Sequence, residues 1–358
     1  VTRDSIEAWP LPGRDTIEQA ARGLHELLKV PAFTAAAKKD LATNLEHLSG
    51  QILGPVHRLT QKRLVIAADG VLHYLPFSIL NNPDETGTYR PLLATYEIVH
   101  VPSMSVLAAQ RRNYQGQQQP LKEIAVFADP VFSITDGRFR DISFTADSGA
   151  GRNLLRQAPT SSEAPLLKRL PATAYEARSI IELVEPGQSM LALGFDASRE
   201  SVILTNLADY RVVHFATHGL IDSRYSALSA LTFSQFDETG KPRDGLLRLH
   251  DIYSLNLNAD LVTMSACSTA LGREISGEGL TGLTQGFMYS GSKSVLASLW
   301  QVPDRATAEL MKYFYQNLLD KKQKPAAALR NAQLDLSSVT RWRSPYFWSA
   351  FVLQGEWQ

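Results

Sequence analysis

The stretch RVVHFATHGL, residues 211–220, decides the fold class, because its apolar run predicts a buried strand that stops at a histidine and a glycine. A second apolar run, in LVTMSACSTALG at residues 261–272, stops at the only cysteine of the chain. Strands that alternate with helices are typical of α/β folds with a mostly parallel sheet. His218 and Cys267 therefore follow the carboxyl ends of two predicted strands, where such sheets bind ligands.

The composition favours a soluble globular protein, and its balanced charge does not indicate a strongly charged partner. Of 358 residues 44% are hydrophobic, and 36 Lys and Arg balance 36 Asp and Glu. This balance argues against nucleic-acid and membrane-surface binding, and no apolar run approaches the ~18–20 residues of a membrane span. A single cysteine and the lack of a signal-peptide pattern predict a cytoplasmic protein. One cysteine and eight histidines lack zinc-type spacing, so we expect no metal and no cofactor.

The first half of the sequence predicts helices followed by strands. The predicted elements are a helix over 15–30, a helix that Thr34 caps and that runs to Ile52, a hairpin over 63–77 around Asp69-Gly70, and strands within 96–103 and 123–130. Residues 133–165 are rich in Ser, Gly, Thr and Arg and predict a long loop. This loop is a candidate for self-cleavage after one of its arginines, Arg138, Arg140, Arg152 or Arg156.

The second half predicts a regular alternation of strands and helices. The predicted elements are a helix over 174–184 opened by a Thr173–Glu176 capping box, a strand in SMLALG, a helix over 201–207, strands over 212–217, 261–266 and 294–300, helices over 280–289, 304–319 and 326–337, and a final strand in YFWSAFVLQ. Such an alternation predicts parallel strands joined through helices.

The residues at the two strand ends are those that thiol catalysis needs. A thiolate attacks a carbonyl carbon, and an imidazole manages the proton of the leaving amine. Two backbone N–H groups must bind the oxyanion that develops. Gly219 suits one of these positions because it has no Cβ, and the amide of Cys267 can supply the other.

Each residue of this pair also has a structural explanation. A lone cysteine after an apolar strand is often a small core residue, and His214, inside its strand, predicts a buried and hydrogen-bonded histidine. The catalytic interpretation gains from position, because small or polar residues follow both His218 and Cys267. It also gains from spacing: 267 − 218 gives 49, and in caspases the histidine precedes the cysteine by ~50 residues.

Four segments together resemble the CHAT domain family, whose members are relatives of caspases and separases and are often joined to tetratricopeptide repeats in bacteria. They are VVHFATHGL, LVTMSACSTALG, GEGLTGLTQGFMYSGSKSVLASLWQVPDRAT and YFWSAFVLQG, and the resemblance extends over most of residues 52–358. It implies a caspase-like three-layer α/β sandwich and a cysteine endopeptidase. By this resemblance His218 and Cys267 correspond to the catalytic dyad, and the amides of Gly219 and Cys267 correspond to the oxyanion hole.

The resemblance also implies a domain organisation and partners. Residues 1–55 are expected to be a helical segment at the edge of an upstream domain. Residues 56–165 resemble a degenerate, non-catalytic caspase-like half, and residues 166–358 the active peptidase half. The expected partners are a protein substrate and a regulatory protein or an upstream tetratricopeptide-repeat domain.

Two carboxylates are candidates for binding a basic substrate residue just before the scissile bond. Asp304 follows the strand that ends in LWQVPD, a segment that resembles the separase stretch with an arginine-binding aspartate. Glu278 lies in a glycine-flanked loop. The structural alternatives are a helix N-cap for Asp304 and a solvated loop for Glu278.

Two other function classes fit the sequence less well. GEGLTG at residues 277–282 matches a dinucleotide fingerprint, but that motif must follow a strand at once, and here ten residues separate it from the strand. A catalytically silent CHAT-type interaction scaffold is the main alternative to an enzyme. The presence of His218, Gly219 and Cys267 together favours the enzyme.

Overall fold

Two β-sheets organise the structure, a computed structural model that describes all residues except 3–5, 57, 58, 60, 86–88, 115, 117, 140–166, 223, 224, 266, 267, 272–277 and 358, and except the side chains of 268–271, 278 and 279. The strands are β1 (Arg63–Ile66), β2 (Glu97–His100), β3 (Lys122–Ala128), β4 (Ser189–Leu193), β5 (Tyr210–Ala216), β6 (His218–Asp222), β7 (Ala230–Thr232), β8 (Leu246–Arg248), β9 (Leu261–Met264), β10 (Ser268–Leu271), β11 (Ser294–Ser298) and β12 (Phe351–Gly355).

The α-helices of the described residues flank these strands. They are α1 (Arg14–Leu28), α2 (Ala35–Leu53), α3 (Met104–Tyr114), α4 (Pro171–Ile181), α5 (Arg199–Leu204), α6 (Leu249–Tyr253), α7 (Glu278–Tyr289), α8 (Asp304–Tyr315), α9 (Pro325–Ser338) and α10 (Pro345–Trp348). The predicted cap of α2 is confirmed, because the Thr34 hydroxyl accepts a hydrogen bond from the Ala37 amide at 3.1 Å. A π-helical turn over Gln316–Asp320 continues α8.

The larger sheet has eight strands in the order β1-β2-β12-β11-β9-β5-β3-β4. All neighbouring pairs are parallel except β11 and β12, which are antiparallel. The prediction of an α/β fold with a mostly parallel central sheet is therefore confirmed.

Alternation along the strands produces the three layers. On β3, Ile124, Val126 and Ala128 belong to one buried cluster, and Ala125 and Phe127 belong to the other. Successive strand side chains point to opposite faces, so an uninterrupted apolar run must be covered on both sides. Helices α1, α2, α4, α8 and α9 contribute to the first cluster, and α5, α6 and α7 contribute to the second.

The smaller sheet, in the order β10-β6-β7-β8, lies beyond the carboxyl end of β5. Only Thr217 separates β5 from β6. β6 pairs in parallel with β10 and antiparallel with β7. The chain segments that follow two core strands, β5 and β9, thus meet again in a second sheet.

Three local predictions are wrong. Residues 63–77 form no hairpin: β1 pairs in parallel with β2, and Gly70–Tyr74 form a 3₁₀ turn where a returning strand was predicted. The final segment divides into α10 and β12.

The third wrong prediction is the capping box. α4 begins at Pro171, and proline favours the first turn of a helix. The Thr173 hydroxyl therefore lies inside the helix and donates to the Leu170 carbonyl at 2.6 Å. The Glu176 carboxylate bonds His214 instead of the helix start.

The three predicted segments, 1–55, 56–165 and 166–358, do not form separate cores in the structure. β3, from segment 56–165, lies between β4 and β5, from segment 166–358. The first core cluster also includes apolar residues of α1 and α2 within segment 1–55. Strands and helices from all three segments thus share one core, and the assignment of a degenerate and an active half stays a prediction. Among the described helices, none combines the length and hydropathy of a membrane span.

Candidate active site at the carboxyl edge of the sheet

His218 is the first residue of β6 and is only 4% exposed. Its Nε2 lies 2.7 Å from the carbonyl oxygen of Lys168. A carbonyl oxygen accepts only, so Nε2 carries the proton and donates it to this bond. Nδ1 is buried and has no hydrogen-bond partner among the described residues. In the neutral ring Nδ1 therefore bears the lone pair that can accept a proton.

The surroundings of His218 favour this neutral ring. Burial lowers the pKa of His218 below its ordinary value, and the hydrogen bond to Lys168 opposes that shift. The ring of Phe132 lies against it, with 5.0 Å between ring centroids. At neutral pH the imidazole is thus a base and not a cation.

The chain on either side of Cys267 runs close to His218. β9 pairs with β5, and the Ser265 amide donates to the Phe215 carbonyl at 3.1 Å. After Cys267, Ser268 is in register with Gly219, the residue next to His218. Cys267 itself lies outside the described residues.

The two predicted specificity carboxylates differ in what the structure shows. Asp304 is the first residue of α8, and its Oδ2 accepts a hydrogen bond from the Ala172 amide at 3.3 Å. It therefore caps the start of α4 and not its own helix, whose N-cap is Pro303. Glu278 begins α7, and its side chain lies outside the described part of the chain.

Asp304 also lines a cavity of about 520 Å³ between α4 and α8. Its charged lining contains two carboxylates and three cations, namely Asp304, Glu309, Arg305, Lys312 and Arg341. Arg341 pairs with Glu309 at 2.5 Å. The cavity therefore has a carboxylate at Asp304 beside an ion pair that is already formed.

A short segment that the sequence analysis did not single out links these residues. We call residues 167–172 the edge segment. It meets His218 through the Lys168 carbonyl and Asp304 through the Ala172 amide. Between these contacts Arg169 forms a two-point ion pair with Asp129, at 2.9 and 2.7 Å.

Asp129 was missed although its position carried a signal. It follows β3 directly, so it lies at the same carboxyl edge as the residues after β5 and β9. In the sequence, Asp129 stands in the ADP tripeptide that ends the predicted strand within 123–130, a position equivalent to that of His218 after β5.

A buried polar network lies beneath this edge. His214 is fully buried, with Nε2 2.8 Å from Glu176 Oε1 and Nδ1 2.9 Å from the Tyr315 hydroxyl. Tyr315 in turn donates to Thr263 Oγ1 at 2.9 Å. Burial raises the pKa of Tyr315, which therefore stays protonated. The prediction that His214 is a buried, hydrogen-bonded histidine is confirmed.

The three-layer arrangement is the fold of the caspase-like cysteine peptidases. Gingipain R, described as an Arg-specific cysteine proteinase, matches 96% of this chain and 73% of its own with a TM-score of 0.51 at 8% identity. The separase–securin complex of Saccharomyces cerevisiae matches 89% of this chain and 17% of its own, with a TM-score of 0.45 at 13% identity.

A CHAT domain model matches residues 36–356, and the chain belongs to the CHAT domain family. Tetratricopeptide repeat protein 28 of Mus musculus is 24% identical over 99% of this chain, and its Homo sapiens counterpart is 25% identical over 99%. The chain spans 14% of the length of either relative. The resemblance on which the sequence analysis relied is confirmed at the level of family and fold.

Proposed function

We propose that the chain is a cysteine endopeptidase in which Cys267 is the nucleophile and His218 is the base. One observation carries the proposal: the Lys168 carbonyl holds the His218 proton on Nε2, which leaves Nδ1 as a buried acceptor. The register of Ser268 with Gly219 supports it, because Ser268 follows Cys267 in the chain. Among the described residues His25 and His100 also have buried, unpartnered ring nitrogens, so what supports the role of His218 is that its free acceptor lies at the carboxyl edge of the sheet, beside the chain that follows Cys267.

The chemistry follows from this tautomer. Nδ1 of His218 takes the thiol proton, and the Cys267 thiolate attacks the carbonyl carbon of a peptide bond. The tetrahedral intermediate collapses as the C–N bond breaks, and the imidazolium gives its proton to the leaving amine. Water, deprotonated by Nδ1, then hydrolyses the thioester and releases the new carboxyl end. The Gly219 and Cys267 amides are the proposed oxyanion donors.

We also propose that the enzyme prefers a basic residue before the scissile bond and that Asp304 binds the side chain of that residue. The edge segment joins the contacts of His218 and Asp304. Its four steps from Lys168 to Ala172 span at most about 14 Å when extended. A substrate whose scissile bond lies at His218 can therefore extend one long side chain to Asp304. Glu278 is retained as a second candidate reader.

Peptide-library cleavage with matched variants tests the proposal. Wild type is expected to cleave after basic residues, and Cys267→Ala and His218→Gln are expected to abolish cleavage. Stoichiometric iodoacetamide should modify Cys267 and block activity, since a dyad thiol is far more reactive than an ordinary one. Absence of both cleavage and selective alkylation would instead support the interaction scaffold. A regulatory protein or a tetratricopeptide-repeat domain is the proposed partner, so the assay is run with and without an added tetratricopeptide-repeat domain.

A further inference from the structure

The edge segment is fixed to the sheet by charged and polar contacts on both sides of Lys168. Arg169, the next residue, donates from Nε to Asp129 Oδ1 and from Nη2 to Asp129 Oδ2. Two parallel bonds fix the guanidinium in orientation as well as in position. The Asp129 amide donates to Thr173 Oγ1 at 3.2 Å, so the same aspartate also holds the first turn of α4.

Asp129 itself is held firmly. It is 5% exposed, and its φ of 49° puts it in the left-handed region, which aspartate tolerates better than most residues. Arg138 donates to the Asp129 carbonyl at 2.7 Å and to Oδ2 at 3.2 Å, and it also bonds Asp136 Oδ2 at 2.7 Å. The arginine bonds lower the pKa of Asp136, which stays ionised. Asp129 is thus a rigid anchor at the end of β3.

We infer that the Asp129–Arg169 pair is a positioning device for His218, acting through the carbonyl of Lys168. The pair fixes the edge segment one residue away from the carbonyl that accepts the Nε2 proton. A fixed acceptor at 2.7 Å selects the Nε2–H tautomer and keeps the lone pair on Nδ1. If the carbonyl moves, either ring nitrogen can hold the proton. This inference rests on the proposed role of His218.

The chain contains a matched ion pair without this connection. Arg211 on β5 pairs with Glu123 on β3 at the amino ends of these strands, through two bonds of 3.2 and 2.7 Å, and it also lies 3.9 Å from Asp260. The Arg211 side chain is 29% exposed, against 44% for Arg169. The carboxylates differ more, with Glu123 33% and Asp129 6% exposed, so stability alone does not separate the two pairs. The Arg211–Glu123 pair therefore serves as the control for His218 itself: a positioning role predicts a change at His218 only when the Asp129–Arg169 pair is broken.

The tautomer of His218 is the direct test, and it needs no enzymatic activity. Nitrogen-15 NMR of histidine-labelled protein distinguishes Nε2–H from Nδ1–H, and His218→Gln assigns the signals. Wild type, Arg211→Ala and Glu123→Gln are expected to show the Nε2–H form of His218. Arg169→Ala is expected to show a mixture of both tautomers. Asp129→Asn, which keeps a residue tolerant of the left-handed region, is expected to show the same mixture.

Kinetics supply the second readout. Arg169→Ala is expected to lower kcat by about 10- to 100-fold, the scale known for hydrogen-bond partners that orient metal-ligating histidines, with KM changed by less than about threefold. Arg169→Lys keeps the charge but not the two-point geometry, and should recover only part of kcat. Folded Arg169→Ala with the wild-type tautomer would overturn the inference. A wild type with the Nε2–H tautomer but no cleavage would contradict the proposed function and leave the positioning intact.

Discussion

Glu176 Oε1 lies 2.8 Å from His214 Nε2, and both side chains are fully excluded from solvent. The pair joins α4, which follows the edge segment, to β5, which leads to His218. Through Tyr315 and Thr263 the same network reaches α8, which begins at Asp304, and β9, which precedes Cys267. One buried network therefore connects the two strands that lead toward His218 and Cys267 with the helices that begin beside the edge segment and at Asp304.

Truncation of Glu176 should destabilise the protein strongly. Removing one partner of a buried hydrogen-bonded pair leaves the other unpaired and typically costs ~1–3 kcal/mol. Glu176→Ala is therefore expected to lower the free energy of unfolding by that amount, and Glu176→Gln, which can still accept from His214, by clearly less. Urea denaturation followed by circular dichroism measures both. A loss below about 1 kcal/mol for Glu176→Ala would contradict the importance of this pair.

The pH dependence of His218 should follow from its burial. Its pKa in the folded protein is lowered from 6.5, so the neutral base persists into more acidic solution than for a free histidine. The acid limb of kcat/KM is expected below pH 6.5. Phe132→Ala should hydrate the ring and move this limb upward. The pH profile of iodoacetamide modification provides the same comparison, and an acid limb that Phe132→Ala leaves unmoved would contradict the role of burial.

Asp304 variants should separate substrate reading from helix capping. Asp304→Asn keeps an acceptor for the Ala172 amide but removes the charge. If Asp304 reads a basic residue, kcat/KM on basic peptides should fall about 10²- to 10³-fold, in line with ~2–5 kcal/mol for one partner of a buried charge pair. Peptides with a neutral residue there should be affected much less. An equal loss on both peptide classes, with lowered stability, would assign Asp304 to the fold.

Two buried histidines should make the fold sensitive to acid. Burial lowers the pKa of His25 and of His100 to about 4. These folded pKa values lie below the unfolded value of ~6.5. The contribution of the two neutral histidines to the free energy of unfolding is therefore complete above pH 6.5, and it is lost as the pH falls toward 4. Each loss is about 3 kcal/mol at most. Urea midpoints from pH 7 to 4 should show this slope, and His25→Leu should flatten it.

Self-cleavage in the segment 133–165 should avoid Arg138. Its guanidinium is engaged by Asp129 and Asp136, so it is unavailable to a specificity pocket. Arg140, Arg152 and Arg156 lie outside the described residues and remain the expected sites. Intact-mass spectrometry of active wild type beside Cys267→Ala measures this. Identical masses would exclude self-cleavage, and a cut after Arg138 would contradict the assignment of that arginine.

The sequence by itself determined the elements whose environment is encoded locally. The apolar runs of β5 and β9 specify strands buried on both faces, and this pattern also predicted that His214 is buried. Helical spacing and the Thr34 cap located α1 and α2. These features depend on the spacing of apolar residues along a helix or a strand. Residues close together in the sequence set that spacing.

Only the tertiary structure decided which distant groups meet. Asp69-Gly70 favours a turn, but β1 pairs with β2, because a strand's partner depends on the packing of both faces. The Thr173–Glu176 pattern matched a capping box, but the buried His214 offered Glu176 a partner in a medium where unpaired polar groups are costly. Asp129, Arg169 and the Lys168 carbonyl come together at His218 because parallel strands end at one edge of the sheet, an order that no local pattern encodes.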